Sequence, residues 1–442
     1  MSPLDLIARL CARLRRDERG FAMIEVLVSA VLLTLAATGV YLGLDGASQT
    51  SGINKHRSEA TELAQQDQDR MRAMAVTELS NYRDTSDPPV QIGNVGYTIS
   101  SSASWVTDST GSASCTSGTA AAHYLRIASS VTWPGMQIPP VTIESVVAPP
   151  AGSFGTNLGS LAVQVRDHAG NPVQGATATL SGPQGYTDTT NAAGCVLWGY
   201  LPVGNYTVAV AKTGYVDPNG VAAPQQAVGV VGESTTTLAF DYDLGGRIQA
   251  NYQTLTQSGG TAVAENATAF SAVTSHLTVP IGPFGDGAAH TAFLSDPVYP
   301  FSDPYGVYAG TCRGADPTQN GQSAQLAQVN PGGTTNVTVL EPPVDLRVVN
   351  NGTPVASAQV FMTGTGSGCG ALPTQTTSTA TNGYLPDRGV PYGPYNVCVL
   401  VLKSGSTYYK KTGTISNTSP RGVPVASATY DFNGVRTTGT CP

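Results

Sequence analysis

Glu25 stands at the head of an uncharged run, Val26 to Leu44, of 19 residues. A carboxylate in such a run is costly unless something neutralises it. Gly20 and Phe21 lie just before it. Other residues able to do chemistry are sparse. His56-Arg57-Ser58-Glu59 has the spacing of a zinc-binding pair, but it falls on a polar helical stretch where no pocket is expected. The chain holds only five His among 442 residues. It has no Gly-x-Ser-x-Gly, no phosphate-cradling Gly loop, no clustered catalytic carboxylates and no Cys-x-x-Cys. Neither an enzyme nor a cofactor or metal site is expected from these residues.

The elements that must position Glu25 follow from how charge is distributed. Of the first 90 residues 22 are charged, and of the remaining 352 only 29. Gly (50) and Pro (30) are abundant, so the long weakly charged part reads as short strands joined by turns. The net charge of −7 gives nucleic-acid binding no electrostatic support. The segment Met1 to Gly20 carries Arg9, Arg13, Arg15, Arg16 and Arg19 against Asp5, Asp17 and Glu18, a net +2. Removing it would leave the side chains at −9. The 19-residue run would span roughly 28 Å as a helix, close to the hydrocarbon thickness of a bilayer. A basic flank before the run places the N-terminus in the cytoplasm and the bulk of the chain outside. A plain signal anchor fits this, and a secretory signal cut near Ala47–Ser48 can be forced onto it, but neither accounts for Glu25. From Lys55 to about Arg83, Ala60, Leu63, Ala64, Met71, Met74 and Leu79 recur near a 3.6-residue period. The helix is therefore expected to continue out of the membrane and to pack one face on a head, ending at Asp84-Thr85-Ser86-Asp87-Pro88-Pro89.

The stretch Arg19-Gly20-Phe21-Ala22-Met23-Ile24-Glu25-Val26-Leu27-Val28 resembles the processing site of type IV pilins and pseudopilins. The resemblance covers about residues 13–45. It implies a prepilin peptidase cutting after Gly20, N-methylation of Phe21 as the new N-terminus, and a role for Glu25 in filament assembly. The physical sense of that role is pairing: the Glu25 carboxylate of one subunit neutralises the Phe21 amine of its neighbour and fixes their axial register. One departure is Leu42, where many major pilins carry a helix-breaking Pro. Gly39, Gly43 and Gly46 lie nearby, and Gly39-x-x-x-Gly43 would let two helices approach. A lipid-facing run of small residues reads equally well.

Residues 90–150 read as an antiparallel meander, with Leu125, Ile127, Val131 and Trp133 and then Val141, Ile143 and Val147 alternating with polar neighbours. Ala148-Pro149-Pro150-Ala151-Gly152 reads as a linker. Beyond it the chain repeats. LGSLAVQVR (158–166) leads into Gly170-Asn171-Pro172-Val173 and Ala176–Leu180. PVDLRVV (343–349) leads into Asn351-Gly352-Thr353-Pro354-Val355 and Ala358–Met362. Gly194 and Gly383 precede matching endings, Leu201-Pro202-Val203-Gly204-Asn205-Tyr206 and Val390-Pro391-Tyr392-Gly393-Pro394-Tyr395. A degenerate copy lies around Pro300 to Gly310. The pattern resembles the carboxypeptidase regulatory-like family, β sandwiches akin to transthyretin and to pilin-associated collagen-adhesin B modules. Such modules extend, space or bind, and both an inert spacer and an adhesive surface stay open. Lys–Asn isopeptide crosslinks are not expected, because the first strands offer Arg166 and Arg347 and the whole chain has five Lys.

Cys11 would leave with residues 1–20. The six others, Cys115, Cys195, Cys312, Cys369, Cys398 and Cys441, suggest disulfides outside the membrane. Cys369–Cys398 is the first expectation, since both lie in the last module. Cys312–Cys441 and Cys115–Cys195 complete the set.

The expected fold is α+β. A leader (1–20) precedes a membrane-spanning and extended helix (21–83) and a small antiparallel β head (84–150). Tandem all-β, Ig- or transthyretin-like sandwiches follow at 151–244, 245–341 (degenerate) and 342–442. The expected function is that of a structural minor subunit, at the tip or side of a type IV pilus-like filament. It would reside first in the cytoplasmic membrane and then at the cell surface. Its partners would be prepilin peptidase, other pilin subunits through their N-terminal helices, the membrane and an unknown surface ligand. A type II secretion pseudopilin, or a surface adhesin binding a glycan or protein, are the alternatives.

Overall fold

The computed structural model describes residues 18–80, 82–107, 115, 124–136, 138–149, 156–256, 261–311, 313–366, 375–386, 388–417, 425–433 and 437–441. The chain divides into two compact units, Met1–Ser104 with Leu125–Ala148, and Trp105–Tyr124 with Pro149–Pro442.

The first unit is a long helix and a small sheet. Helix α1 runs over Glu18–Arg72, followed by a single turn, α2, at Val76–Leu79. The strands are β1 (Arg83–Thr85), β2 (Val90–Ile92), β3 (Val95–Val106), β4 (Tyr124–Thr132) and β5 (Val141–Val147). They form an antiparallel sheet in the order β1-β3-β4-β5, with β2 also on β3. In β4 the strict alternation buries Leu125, Ile127 and Val131. Helix α1 stops well before Arg83. Ala75 is extended (φ −66°, ψ 144°), α2 buries Leu79, and Arg83 pairs with Ser102 in the sheet. The apolar spacing that runs on through Met74 and Leu79 thus crosses a break at residues 73–75, and Leu79 is buried from the separate turn α2.

The second unit repeats one two-sheet plan three times. The first copy comprises β6 (Leu158–Arg166), β7 (Thr177–Ser181), β8 (Tyr186–Thr189), β9 (Cys195–Pro202), β10 (Gly204–Ala211), β11 (Tyr215–Val216), β12 (Gln225–Val230), β13 (Thr235–Asp241) and β14 (Asp243–Leu244). Its two main sheets are β13-β6-β9 and β12-β10-β7-β8, and β11 pairs with β14 as a separate short ribbon. The second copy comprises β15 (Arg247–Leu255), β16 (Ala262–Ala264), β17 (Phe270–Val273), β18 (Ile281–Phe284), β19 (Ala292–Leu294), β20 (Tyr305–Ala309), β21 (Gln325–Ala327) and β22 (Thr334–Glu341). Here β15 pairs with β16, β19 and β22, opposite β18-β17-β20-β21. The third comprises β23 (Val344–Asn350), β24 (Thr353–Pro354), β25 (Gln359–Gly364), β26 (Gln375–Ser378), β27 (Gly393–Ser404), β28 (Thr407–Asn417) and β29 (Val425–Asp431), in sheets β24-β23-β29 and β26-β25-β27-β28. In every copy the first strand pairs in parallel with the last long strand: β6 with β13, β15 with β22, β23 with β29. Each copy also has its own apolar core, centred on Trp198, on Phe270 and Tyr252, and on Val360 and Tyr395.

The repeat is held by recurring polar braces. Thr190 Oγ1 donates to Val173 O (2.6 Å) and accepts from Ala176 N (2.9 Å). Thr379 does the same with Val355 O (2.7 Å) and Ala358 N (3.0 Å). Tyr206 OH donates to Pro202 O (2.9 Å), and Tyr395 OH to Pro391 O (2.7 Å). Gly194 and Gly383 take φ of +66° and +79°. A Cβ at either would lie 2.5 Å from a carbonyl oxygen, of Val165 or Val348. Only glycine fits both the angle and the space.

Cys115 is bonded to Cys195, with Cα atoms 5.6 Å apart. Cys398 is bonded to Cys441 (Cα–Cα 5.9 Å), and this corrects both the expected Cys369–Cys398 and Cys312–Cys441 pairings. The reason is the path of the chain end. After β29 it returns beside β28, where Lys410 N donates to Thr437 O (2.8 Å) and Tyr409 faces Thr438. That return carries Cys441 to β27. Cys312 and Cys369 lie outside the described residues, as do Cys11 and residues 1–17.

Candidate functional site

The two ends of α1 meet different surroundings. From Met23 to Leu44 its side chains are exposed; Leu33 is 73 % accessible and Tyr41 72 %. The apolar window has a mean hydropathy of 2.1, and the helix is long enough to cross a membrane. Its few hydroxyls turn back on the helix: Ser29, Thr34 and Thr38 donate to carbonyls three residues earlier at 2.8–3.0 Å. That arrangement gives each of these three hydroxyl hydrogens a partner within the helix, as an apolar medium requires. Glu25 is exposed within this apolar surface. A Cβ at Gly39, Gly43 or Gly46 would meet nothing within 4 Å. Among the described residues, no packing contact requires glycine at these positions.

Beyond Lys55 the same helix docks on its sheet. Ala60, Leu63 and Ala64 are buried with Tyr97 and Val131. Each buried Leu-sized side chain contributes about 1.5–3 kcal/mol. The interface is also polar and fully partnered. Asp67, 6 % exposed, accepts from Ser101 Oγ (2.7 Å), Ser129 Oγ (2.5 Å) and Arg70 (2.7 and 3.0 Å). Gln68 Nε2 donates to the carbonyls of Ile127 (3.2 Å) and Ile143 (2.9 Å), while Ser145 Oγ donates to its Oε1 (2.6 Å). His56 and Glu59 are spent here as well. His56 Nδ1 lies 2.7 Å from Tyr97 OH, which donates to Glu59 Oε2 at 2.5 Å, and the His56 ring sits 6.0 Å from Trp133. The Tyr97 hydrogen bond holds the Glu59 carboxyl below its usual value. Burial first, and then the hydrogen bond to Glu59 and its charge, push the Tyr97 phenol up. The His-x-x-Glu pair is thus a docking contact, and among the described residues no cluster of three metal-binding side chains occurs.

The second unit buries charge at the junction of its second and third copies. Glu265 Oε2 accepts from Gly389 N (2.6 Å), its Oε1 accepts from Asn266 N (2.7 Å), and Arg388 Nη1 stands 3.7 Å away. Glu341, at the end of β22, is 2 % exposed, and its Oε1 has no hydrogen-bond partner among the described residues. Burial, with Glu265 adding to it and Arg388 opposing, pushes the Glu341 carboxyl well above the usual carboxylate range. A cavity of about 30 Å³ adjoins it, lined by Asn266, Thr268 and Gly389. That is room for a water. A Cβ on Gly389 would come 2.6 Å from Glu341 Cβ, so the close approach requires glycine.

Of the residues singled out by sequence, Glu25 lies on the exposed helix, Gly20 and Phe21 lie within α1 as backbone, and the cysteines fall as given above. Asp67, Gln68, Glu265 and Glu341 were not singled out. For Asp67 and Gln68 the signal was present: they continue the buried face of Ala60, Leu63 and Ala64. Glu265 and Glu341 stand alone among strand residues, and only the fold brings them together.

Comparison with curated protein sequences finds no match. Among solved structures, matches include the Bacillus anthracis TIE protein (12 % identity, 79 % of this chain and 74 % of that one, TM-score 0.20). They also include BcpA, the major pilin subunit of Bacillus cereus (10 %, 62 % and 99 %, TM-score 0.19), and GBS52, the minor pilin of Streptococcus agalactiae (11 %, 64 % and 99 %, TM-score 0.18). A family model, the prokaryotic N-terminal methylation motif, matches residues 15–41. That match spans the Gly20-Phe21 step, Glu25 and the exposed apolar half of α1, so the chain carries at its N-terminus the methylation motif typical of type IV pilins.

Proposed function

We propose that this chain is a structural, non-enzymatic minor subunit of a type IV pilus-like filament. Prepilin peptidase cuts the membrane-inserted precursor between Gly20 and Phe21, and Phe21 is methylated. Glu25 then pairs with the Phe21 amine of a neighbouring subunit as the helices leave the membrane and bundle. The three β sandwiches are carried to the cell surface. One observation carries the reading: a single unbroken helix exposes an apolar half bearing one acid while its other half is docked on the subunit's own sheet. A helix built this way lacks a partner for its first half, and copies of itself supply one of matching length and chemistry. The 422 residues left after the cut are bulky for every position of a shaft, which favours a minor, tip or side place.

Mass analysis of the N-terminus of assembled material tests this. A methylated Phe21 is expected, and an intact Met1 in assembled material overturns it. Shearing separates pilus from secretion pseudopilus: the subunit is expected among sheared filaments, and its absence there moves the assignment to the pseudopilus.

A further inference from the structure

The second sandwich departs from the other two in its loops. In the third copy, β27 and β28 are joined by a tight turn at Gly405. In the second, the chain between β20 and β21 instead forms two 3₁₀ turns, Arg313–Ala315 and Pro317–Asn320. Their geometry is fixed from within. Asp316 is 3 % exposed and accepts from Thr318 N (2.9 Å) and Oγ1 (2.8 Å), and Gly321 closes the second turn at φ +71°. On the facing side, the loop after β17 is held by His276. Its ring stacks on Phe301 (4.9 Å, 8°), its Nε2 lies 3.2 Å from Asp303, and Ser275 Oγ donates to Asp303 (2.8 Å). Between these two braced loops lies a crevice of about 530 Å³. That volume falls within the ~300–1,000 Å³ usual for small-ligand sites.

Its lining selects a ligand class. Arg313 and Asp316 are the two ionisable residues in it, and Asp316 already serves Thr318. The rest alternates hydroxyl and amide groups, such as Thr278, Gln319 and Ser323, with aliphatic patches from Leu277, Pro280 and Leu326. A weakly charged surface that mixes hydrogen-bonding groups with aliphatic contact suits a ligand that itself mixes hydroxyls with C–H faces. We propose that this crevice binds a short saccharide. The proposal rests on the reading of the chain as a surface-displayed filament subunit, and it gives the second sandwich the recognition role and the other two the role of spacers.

The test uses the full chain, purified in a zwitterionic detergent that carries no sugar. Isothermal titration is run against maltotriose, cellotriose, chitotriose, trigalacturonate and an extended Gly/Ser octapeptide. At least one saccharide is expected to bind with a Kd below about 10 mM, a free energy beyond roughly −3 kcal/mol. Thr278→Trp and Ser323→Trp fill the crevice from opposite walls and are each expected to weaken that binding tenfold or more. Both positions are exposed, so circular dichroism and the melting temperature should stay unchanged. A gentler variant, Gln319→Ala, is expected to weaken binding several-fold and covers the case in which a Trp variant misfolds. Failure of all four saccharides, binding of the peptide alone, or saccharide binding untouched by all three variants overturns the proposal. The N-terminal mass of the same preparations reports on the filament reading separately.

Discussion

Helix α1 carries two acids in opposite circumstances. Asp67 is buried and accepts hydrogen bonds from Ser101, Ser129 and Arg70. Glu25 lies exposed in a surface of Val, Leu and Ile that the subunit leaves uncovered. One half of the helix is completed by its own chain, and the other is built to be completed by something else. The largest expected effect follows from that difference. Glu25→Val should leave the melting behaviour of the subunit within about ±0.5 kcal/mol, as for an exposed site. Leader cleavage should also persist. Incorporation into filaments, read by immunoblot of the sheared fraction, should fall to background. Normal incorporation of Glu25→Val would erase the contrast between the two halves.

Asp67→Leu attacks the other half. It leaves Ser101 and Ser129 facing an apolar group and frees Arg70 from its buried partner. The expected cost is about 2–4 kcal/mol to the helix–sheet unit, below the top of the range because Arg70 is half exposed. Hydrogen exchange of β3 and β4 measures it. Protection unchanged in the variant would mean that the apolar contacts of Ala60, Leu63 and Ala64 suffice on their own.

A third acid sharpens the comparison. Glu341 is as buried as Asp67 but has one oxygen without a partner among the described residues. Its raised value means that the folded chain holds this proton above the range in which the unfolded chain, near 4.5, has released it. Stability from this group is therefore fully present below about pH 4.5 and falls as pH rises towards the folded value, by up to about 1.4 kcal/mol per pH unit. Glu341→Gln keeps the shape and removes the titration. It should raise stability at pH 8 by about 1–3 kcal/mol and change little at pH 4. Thermal unfolding of wild type and variant across pH 4–8 is the measurement. Parallel curves over the whole range would show that Glu341 is ionised and satisfied in the folded chain.

How far the sequence spoke depended on whether a property is local. The apolar run behind Glu25 and the alternation of Leu125, Ile127 and Val131 are local patterns, and helix and strand follow them. The repeated Gly194 and Gly383 were visible as repeats, and the fold supplies the cause in their positive φ and in carbonyls too close for a Cβ. The end of α1 at Arg72 is not legible in the periodicity, because the apolar spacing continues through Leu79, which the fold buries from a separate turn after the extended Ala75. Cys398 was given to Cys369 by proximity in sequence, whereas the chain end passes β28 and delivers Cys441. The junction of Glu265, Glu341 and Arg388 was illegible for the same reason: strand ends meet only when the sandwiches form.

The smallest effects test whether the first and third sandwiches are energetic equals. Tyr206→Phe and Tyr395→Phe each delete one hydroxyl that donates to a proline carbonyl four residues earlier. Each should cost about 1 kcal/mol. The two tyrosines differ in one respect. Burial raises both phenols, but the Glu341 charge adds to the rise at Tyr395 only. Combining each change with Glu341→Gln separates them. Tyr206→Phe should add to it within about 0.5 kcal/mol, since the two sites share no partner, while Tyr395→Phe should depart from additivity by more than that. Equal additivity for both would make the third sandwich a plain copy of the first. Non-additivity confined to Tyr395 would place the third sandwich's core brace and the buried carboxyl of its neighbour in one coupled unit, absent from the first.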